Sequence, residues 1–120
     1  NYKSFWCAEK IQNEMLRFEL ENHRKPWVAL MGLAFKPNID DLRESPAKSI
    51  TSKVLQSGNN SQIMIVEPNV PEHNLFKLTN YKEAYEKADI VVFLVNHNEF
   101  AELNYRNDVK VLDFCGTFKK

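Results

Sequence analysis

The unbroken apolar run Ile-Val-Val-Phe-Leu-Val at positions 90–95 limits what this chain can become more than any other stretch. A strand with one wet face alternates apolar and polar residues. A strand without alternation must be covered on both faces, which is the situation of a central strand in a parallel sheet. The rest of the chain therefore has to supply neighbouring strands and two layers of helix.

It contains segments for both. Residues 27–33 form a second apolar run, entered through Pro26, which cannot donate to a strand ladder. Gly32 sits near the end of that run, where the backbone must turn tightly or approach something closely. Residues 63–66 are short and β-branched, closed by Glu67-Pro68, and the last strand is expected at 109–114. Between the strands the period changes. From Ser4 to about Asn22, Phe5, Ala8, Ile11, Met15 and Phe18 recur every three or four residues and predict one long amphipathic helix, with Ser4 able to cap it. Trp6 and Leu16 lie off that stripe and imply a second contact surface, toward a preceding domain or a second chain. Ser45-Pro46 reads as N-cap and first position of a helix reaching residue 57, with Ala47, Ile50, Val54 and Leu55 inward and Gly58-Asn59-Asn60 as its stop. Short helices are expected at 82–88 and 98–103, the second capped by Asn98, and residues 69–80 are mostly loop. The expected fold is α/β: a Rossmann-like three-layer domain with a mainly parallel sheet, preceded by a long N-terminal linking helix.

Composition narrows the function. Lys plus Arg and Asp plus Glu stand at 16 each in 120 residues, so there is no net charge to hold nucleic acid by bulk electrostatics. No apolar run is long enough to span a bilayer, and no signal-peptide pattern is present. Cys7 and Cys115 are far apart, match no metal-ligand spacing and fit a reducing, cytoplasmic setting. The chain begins at Asn1 rather than Met, which is expected of a processed or excised piece of a longer protein.

In a doubly wound sheet the ligand crevice opens beyond the carboxyl ends of the strands, where the winding reverses. Here that is between the loops at 35–45 and 96–99, after the first and third strands. The first loop holds Lys36, Asp40, Asp41, Arg43 and Glu44. A Lys on such a loop can meet a diphosphate as a point charge, or simply stay solvated. Adjacent Asp40 and Asp41, with no third ligand in pattern, fit loop-holding ion pairs better than a metal site. His97 reads as a hydrogen-bonded structural residue, with a proton shuttle as the alternative.

The whole stretch G-L-A-F-K-P-N-I-D-D-L-R-E-S-P at 32–46 resembles the signature loop in the C-terminal domain of the UDP-glucose/GDP-mannose dehydrogenase family. V-E-P-N at 66–69, A-D-I-V-V-F-L-V-N-H-N-E-F at 88–100 and V-L-D-F-C-G at 111–116 resemble that domain in the same order. The likeness covers residues 26–116 and, in wording, is most similar to bacterial UDP-N-acetyl-D-mannosamine dehydrogenases. It implies a C-terminal UDP-sugar-binding domain at 26–120, joined through a linking helix at 1–25 to the rest of a dehydrogenase chain. Such enzymes oxidise a sugar C6 hydroxyl to a carboxylate in two NAD-dependent steps, and bacterial ones serve surface polysaccharide synthesis. The resemblance assigns Phe35 and Lys36 to the nucleotide-sugar. It assigns Arg43 to NAD across the domain cleft; pairing with Asp40, Asp41 or Glu44 remains the other reading. NAD would be held mainly by an N-terminal domain, because this chain has no G-x-G-x-x-G. Neither cysteine stands in the family's nucleophile motif, so no catalytic residue and no metal is assigned here, and the piece alone should be inactive. A homo-oligomer is expected, without nucleic-acid or membrane partners.

UDP-glucose dehydrogenases often carry an Arg after the last strand in an Asp-Gly-Arg context. Here the stretch is Asp113-Phe114-Cys115-Gly116-Thr117, a departure that leans toward an N-acetylated hexosamine. The alternative is a stand-alone nucleotide-binding or interaction domain without oxidoreductase activity. A dinucleotide fingerprint and nucleophilic Cys motif encoded upstream would decide for the enzyme.

Overall fold

The structure is a computed structural model that describes residues 2–34, 45–57, 62–73 and 75–115. The apolar run at 90–95 becomes β3 (Ile90–Phe93), with β1 (Val28–Met31) on one side and β4 (Lys110–Asp113) on the other. Beyond β1 lies β2 (Ile63–Val66), giving the order β2-β1-β3-β4 with every pairing parallel. The register is even: Val28 stands opposite both Ile63 and Ile90, and Ile90 opposite Lys110. The sheet thus winds outward in both directions from β1 and β3, as the segment order requires. β3 ends at Phe93 because the amides of Leu94 and Val95 both turn onto one acceptor, the Met31 carbonyl, at 3.0 and 3.3 Å. The strand signal to Val95 therefore overran the strand by two residues.

Alternate residues of the strands feed two cores. Val28, Leu30, Ile90 and Val92 point to one face, where they meet Cys7, Ala8 and Ile11 of α1 (Tyr2–Asn22) and Ile50 and Val54 of α2 (Pro46–Gln56). Ala29, Met31, Met64, Val66, Val91 and Phe93 point to the other. They are covered by Ala84 and Tyr85 of α3 (Tyr81–Lys87) and Phe100 of α4 (Asn98–Ala101). Both faces are dry, so each fully buried large side chain contributes about 1.5–3 kcal/mol through area removed from water. Cys7 belongs to one core and Cys115 packs against the other, so the sheet separates the two thiols.

Three local expectations need correction. Phe5, assigned to the inward stripe of α1, is 57% exposed; the buried row is Ser4, Cys7, Ala8 and Ile11, continued by the half-buried Met15 and Phe18. Small residues at 7 and 8 let α1 lie close on the sheet and α2, which a Phe at the contact would prevent. Ser4 is not a cap, because the helix already runs from Tyr2 and Ser4 is buried in its first turn. Asn98 is not the cap of α4 either: His97 holds that position, without a side-chain capping bond.

Candidate functional site at the carboxyl edge of the sheet

Where β1 ends, Gly32 adopts φ +110°, a left-handed conformation that favours glycine. Its amide still bonds the Val66 carbonyl at 2.8 Å. A Cβ built there would lie 2.7 Å from the Val95 Cβ, so the chain just beyond β3 closes over the glycine. Both reasons for a glycine, turning and close approach, apply at once.

The next two amides meet Glu67, the first residue after β2. Its Oε1 accepts from Leu33 N–H at 2.8 Å and Ala34 N–H at 2.9 Å. The same oxygen lies 3.0 Å from Nε2 of His97, which follows β3. Its Oε2 accepts from Asn69 N–H at 3.0 Å. The Asn69 side-chain amide reaches the other imidazole nitrogen, Nδ1, also at 3.0 Å. With that amide donating to Nδ1, the Nε2–H donates to Glu67. Neither the Glu67 nor the His97 side chain exposes any surface. Burial pushes the Glu67 carboxyl up, but the bonds from His97 and from the Leu33 and Asn69 amides outweigh it and hold it below the usual carboxylate range.

This is an anchor rather than an acid–base apparatus. Donors crowd the carboxylate and both imidazole nitrogens are engaged, with no face toward solvent. His97 thus takes the structural role read from its position. By sequence Glu67 reads only as the close of a strand. The signal that could have found it is a carboxylate placed directly after a fully apolar strand: such a group is drawn into the sheet edge and needs donors there.

On the other side of the same edge, Ser45 Oγ donates to the Leu33 carbonyl at 2.9 Å and accepts from Lys48 N–H at 3.0 Å. It is the N-cap of α2, with Pro46 in the first turn, as its sequence dictates. The segment from 35 to 44 therefore leaves from a backbone clamped by Glu67 and returns to one clamped by Ser45. Phe35, Lys36, Asp40, Asp41, Arg43 and Glu44 lie outside the described residues. Among the described residues, no group of three or more His, Cys, Asp or Glu could hold a metal ion, and no helix is long and apolar enough to cross a membrane.

A model of the UDP binding domain of the UDP-glucose/GDP-mannose dehydrogenase family matches residues 29–118. This chain belongs to that family. Its relatives include the UDP-N-acetyl-D-mannosamine dehydrogenase of Campylobacter jejuni, 48% identical over 97 residues, which are 75% of this chain and 23% of that protein. The enzyme of the same name from Escherichia coli K12 is 35% identical over 115 residues, 89% of this chain and 27% of the relative. The fold is shared with the UDP-N-acetyl-mannosamine dehydrogenase of Staphylococcus aureus, with a TM-score of 0.70 at 20% identity over 96% of this chain and 31% of that one. The chain therefore spans about a quarter of the length of the curated relatives it matches. The family domain is a UDP-binding one, and these relatives make it close to UDP-N-acetyl-D-mannosamine dehydrogenases.

The pyrophosphate of a dinucleotide does not fit against Gly32, which stands without the second and third glycines of a phosphate-binding turn and whose side-chain space is filled by Val95.

Proposed function

We propose that this chain is the UDP-binding C-terminal part of an NAD-dependent UDP-sugar 6-dehydrogenase whose substrate is UDP-N-acetyl-D-mannosamine, oxidised to the mannosaminuronate for bacterial surface polysaccharide. The observation that carries the reading is the motif at 32–46, which begins on the clamped end of β1 and falls within the family match. Lys36 supplies positive charge to the diphosphate, Phe35 shapes the pocket beside it, and Arg43 reaches NAD across the cleft. NAD itself is held mainly by a preceding domain, to which residues 1–25 are the link. The enzyme works in the cytoplasm as a homo-oligomer. The name and 48% identity of the Campylobacter relative support the choice of sugar, as does the stretch at 113–117 without an Arg.

The test is Lys36→Ala in the full-length chain. Losing one charge-assisted contact costs about 1.5–3 kcal/mol of substrate binding, a ten- to hundredfold weakening at about 1.4 kcal/mol per decade. NAD affinity stays near normal in that variant, whereas Arg43→Ala weakens NAD. Titration of both ligands against both variants, beside a thermal melt, checks this. UDP-sugar affinity unchanged by Lys36→Ala would refute the site.

A further inference from the structure

We propose that Glu67 and His97 are positioning residues for the nucleotide site: they set where the Lys36 segment departs from the sheet, so ligand affinity depends on them although neither touches ligand. The inference rests on the UDP-site reading above and adds to it a pair that carries the positioning.

Three strand ends converge on one carboxylate. Glu67 leaves β2, receives the Leu33 and Ala34 amides from the end of β1 at 2.8 and 2.9 Å, and receives His97 from the end of β3 at 3.0 Å. The Asn69 amide takes the other oxygen, and the Asn69 side chain orients the imidazole. Phe35 and Lys36 follow Ala34 directly in the chain. The Leu33 and Ala34 amides are thus fixed immediately before that segment begins. Because neither the Glu67 nor the His97 side chain exposes surface, neither can meet a diphosphate where it stands. A carboxylate in direct contact would also repel one. The pair can act on nucleotide only through the backbone it holds, and a misplacement of about 1 Å at a binding group is enough to cost large factors.

The experiment measures UDP affinity by calorimetry in the full-length protein for wild type, Glu67→Gln, His97→Ala and His97→Gln, at temperatures well below each variant's melt. Glu67→Gln replaces one acceptor by an amide donor facing Asn69 N–H, and His97→Ala removes a donor to Oε1. Both should weaken UDP at least tenfold. His97→Gln, which keeps an N–H able to reach Glu67, should recover most of that loss and stay within about threefold of wild type. Hydrogen–deuterium exchange of a peptide covering residues 28–36 should quicken in His97→Ala, while a peptide over β4 keeps its wild-type rate.

A purely structural pair would lower the melting temperature and leave the affinity of the folded protein alone. That outcome, or His97→Gln no better than His97→Ala, overturns the inference while leaving the UDP site standing. Wild-type protein that binds no UDP overturns the site reading, and this inference with it.

Discussion

Gly32 meets two demands, and the cost of ignoring them can be stated. Alanine there would sit at φ +110° with its Cβ 2.7 Å from the Cβ of Val95. Strain at such a φ is worth about 1–3 kcal/mol, and overpacking a further 1–3 kcal/mol or so. Gly32→Ala should therefore lower unfolding free energy by about 2–6 kcal/mol in a denaturant titration; a loss below 0.5 kcal/mol or so would mean that the chain around Gly32 and Val95 gives way easily. Glu67 sets a second residue-scale expectation, on pH. Its carboxyl titrates lower in the folded chain than in the unfolded one. The unfolded chain therefore takes up the proton first, and acid favours unfolding. The stabilisation is whole above the ordinary carboxylate value, about 4.3, and fades as pH falls from there through the depressed folded value. Asp89, raised by burial but lowered further by bonds from Arg24 and Trp27 N–H, adds in the same direction. Melts between pH 6 and about 3 should show a steeper loss in wild type than in Glu67→Gln, whose neutral side chain cannot titrate.

At the scale of elements, stability rests on how helix ends are closed. α1 stops with His23 at φ 58° and its amide on the Glu19 carbonyl at 2.9 Å, a left-handed cap that glycine usually supplies. Arg24 then pairs both ways with Asp89 at 2.9 and 3.0 Å, while Asp89 also accepts from Trp27 N–H, binding the helix exit to the start of β3. The far end of α3 is closed by a residue from another segment: the Arg106 guanidinium donates to the carbonyls of Tyr85, Glu86 and Ala88 and is held in turn by Asp108. These are the carbonyls a helix leaves without partners. Arg106→Ala should cost about 1.5–3 kcal/mol, with loss of helicity confined to α3, readable as faster amide exchange over residues 81–88. Ser45→Ala removes both the cap of α2 and the bond to Leu33, a loss of about 1–2 kcal/mol by thermal melt.

At the scale of the whole molecule, the outer side of α1 stands out. Phe5, Trp6, Leu16 and Leu20 are 57, 43, 61 and 78% exposed. At about 100° per residue they fall within roughly 100° of one another around the helix. The buried row turns toward the sheet, so the helix carries two apolar stripes, one buried and one largely exposed, of which only Trp6 has a ring partner among the described residues, Phe114. We propose that in a full-length enzyme the outer stripe meets the rest of the chain. Alone, this chain should self-associate through it. Analytical ultracentrifugation should show mass rising with concentration, and the double variant Leu16→Glu, Leu20→Glu should hold it monomeric; equal behaviour of the two proteins would remove α1 from the contact. The same isolated chain should reduce no NAD with any UDP-sugar, a simple absorbance assay at high protein concentration.

The order of elements and the motif at 32–46 were legible in the sequence because each depends on neighbours within a few residues, and the parallel sheet followed from strands alternating with helices. An apolar run reads as a buried strand, and Ser45-Pro46 reads as a helix start wherever it stands. The carboxyl-edge anchor was not readable in the same way. Glu67 finds its donors at Leu33 and Ala34, more than thirty residues earlier, and at His97, thirty later. Those partners meet only because β1 lies between β2 and β3 in even register. Arg106 closes a helix that ended at Lys87 for the same reason. On α1 periodicity put Phe5 on one stripe with Ala8 and Ile11, and only docking against the sheet and α2 turned Cys7 and Ala8 inward and left Phe5 exposed: close approach requires small side chains, and the space between helix and sheet exists only in the assembled fold.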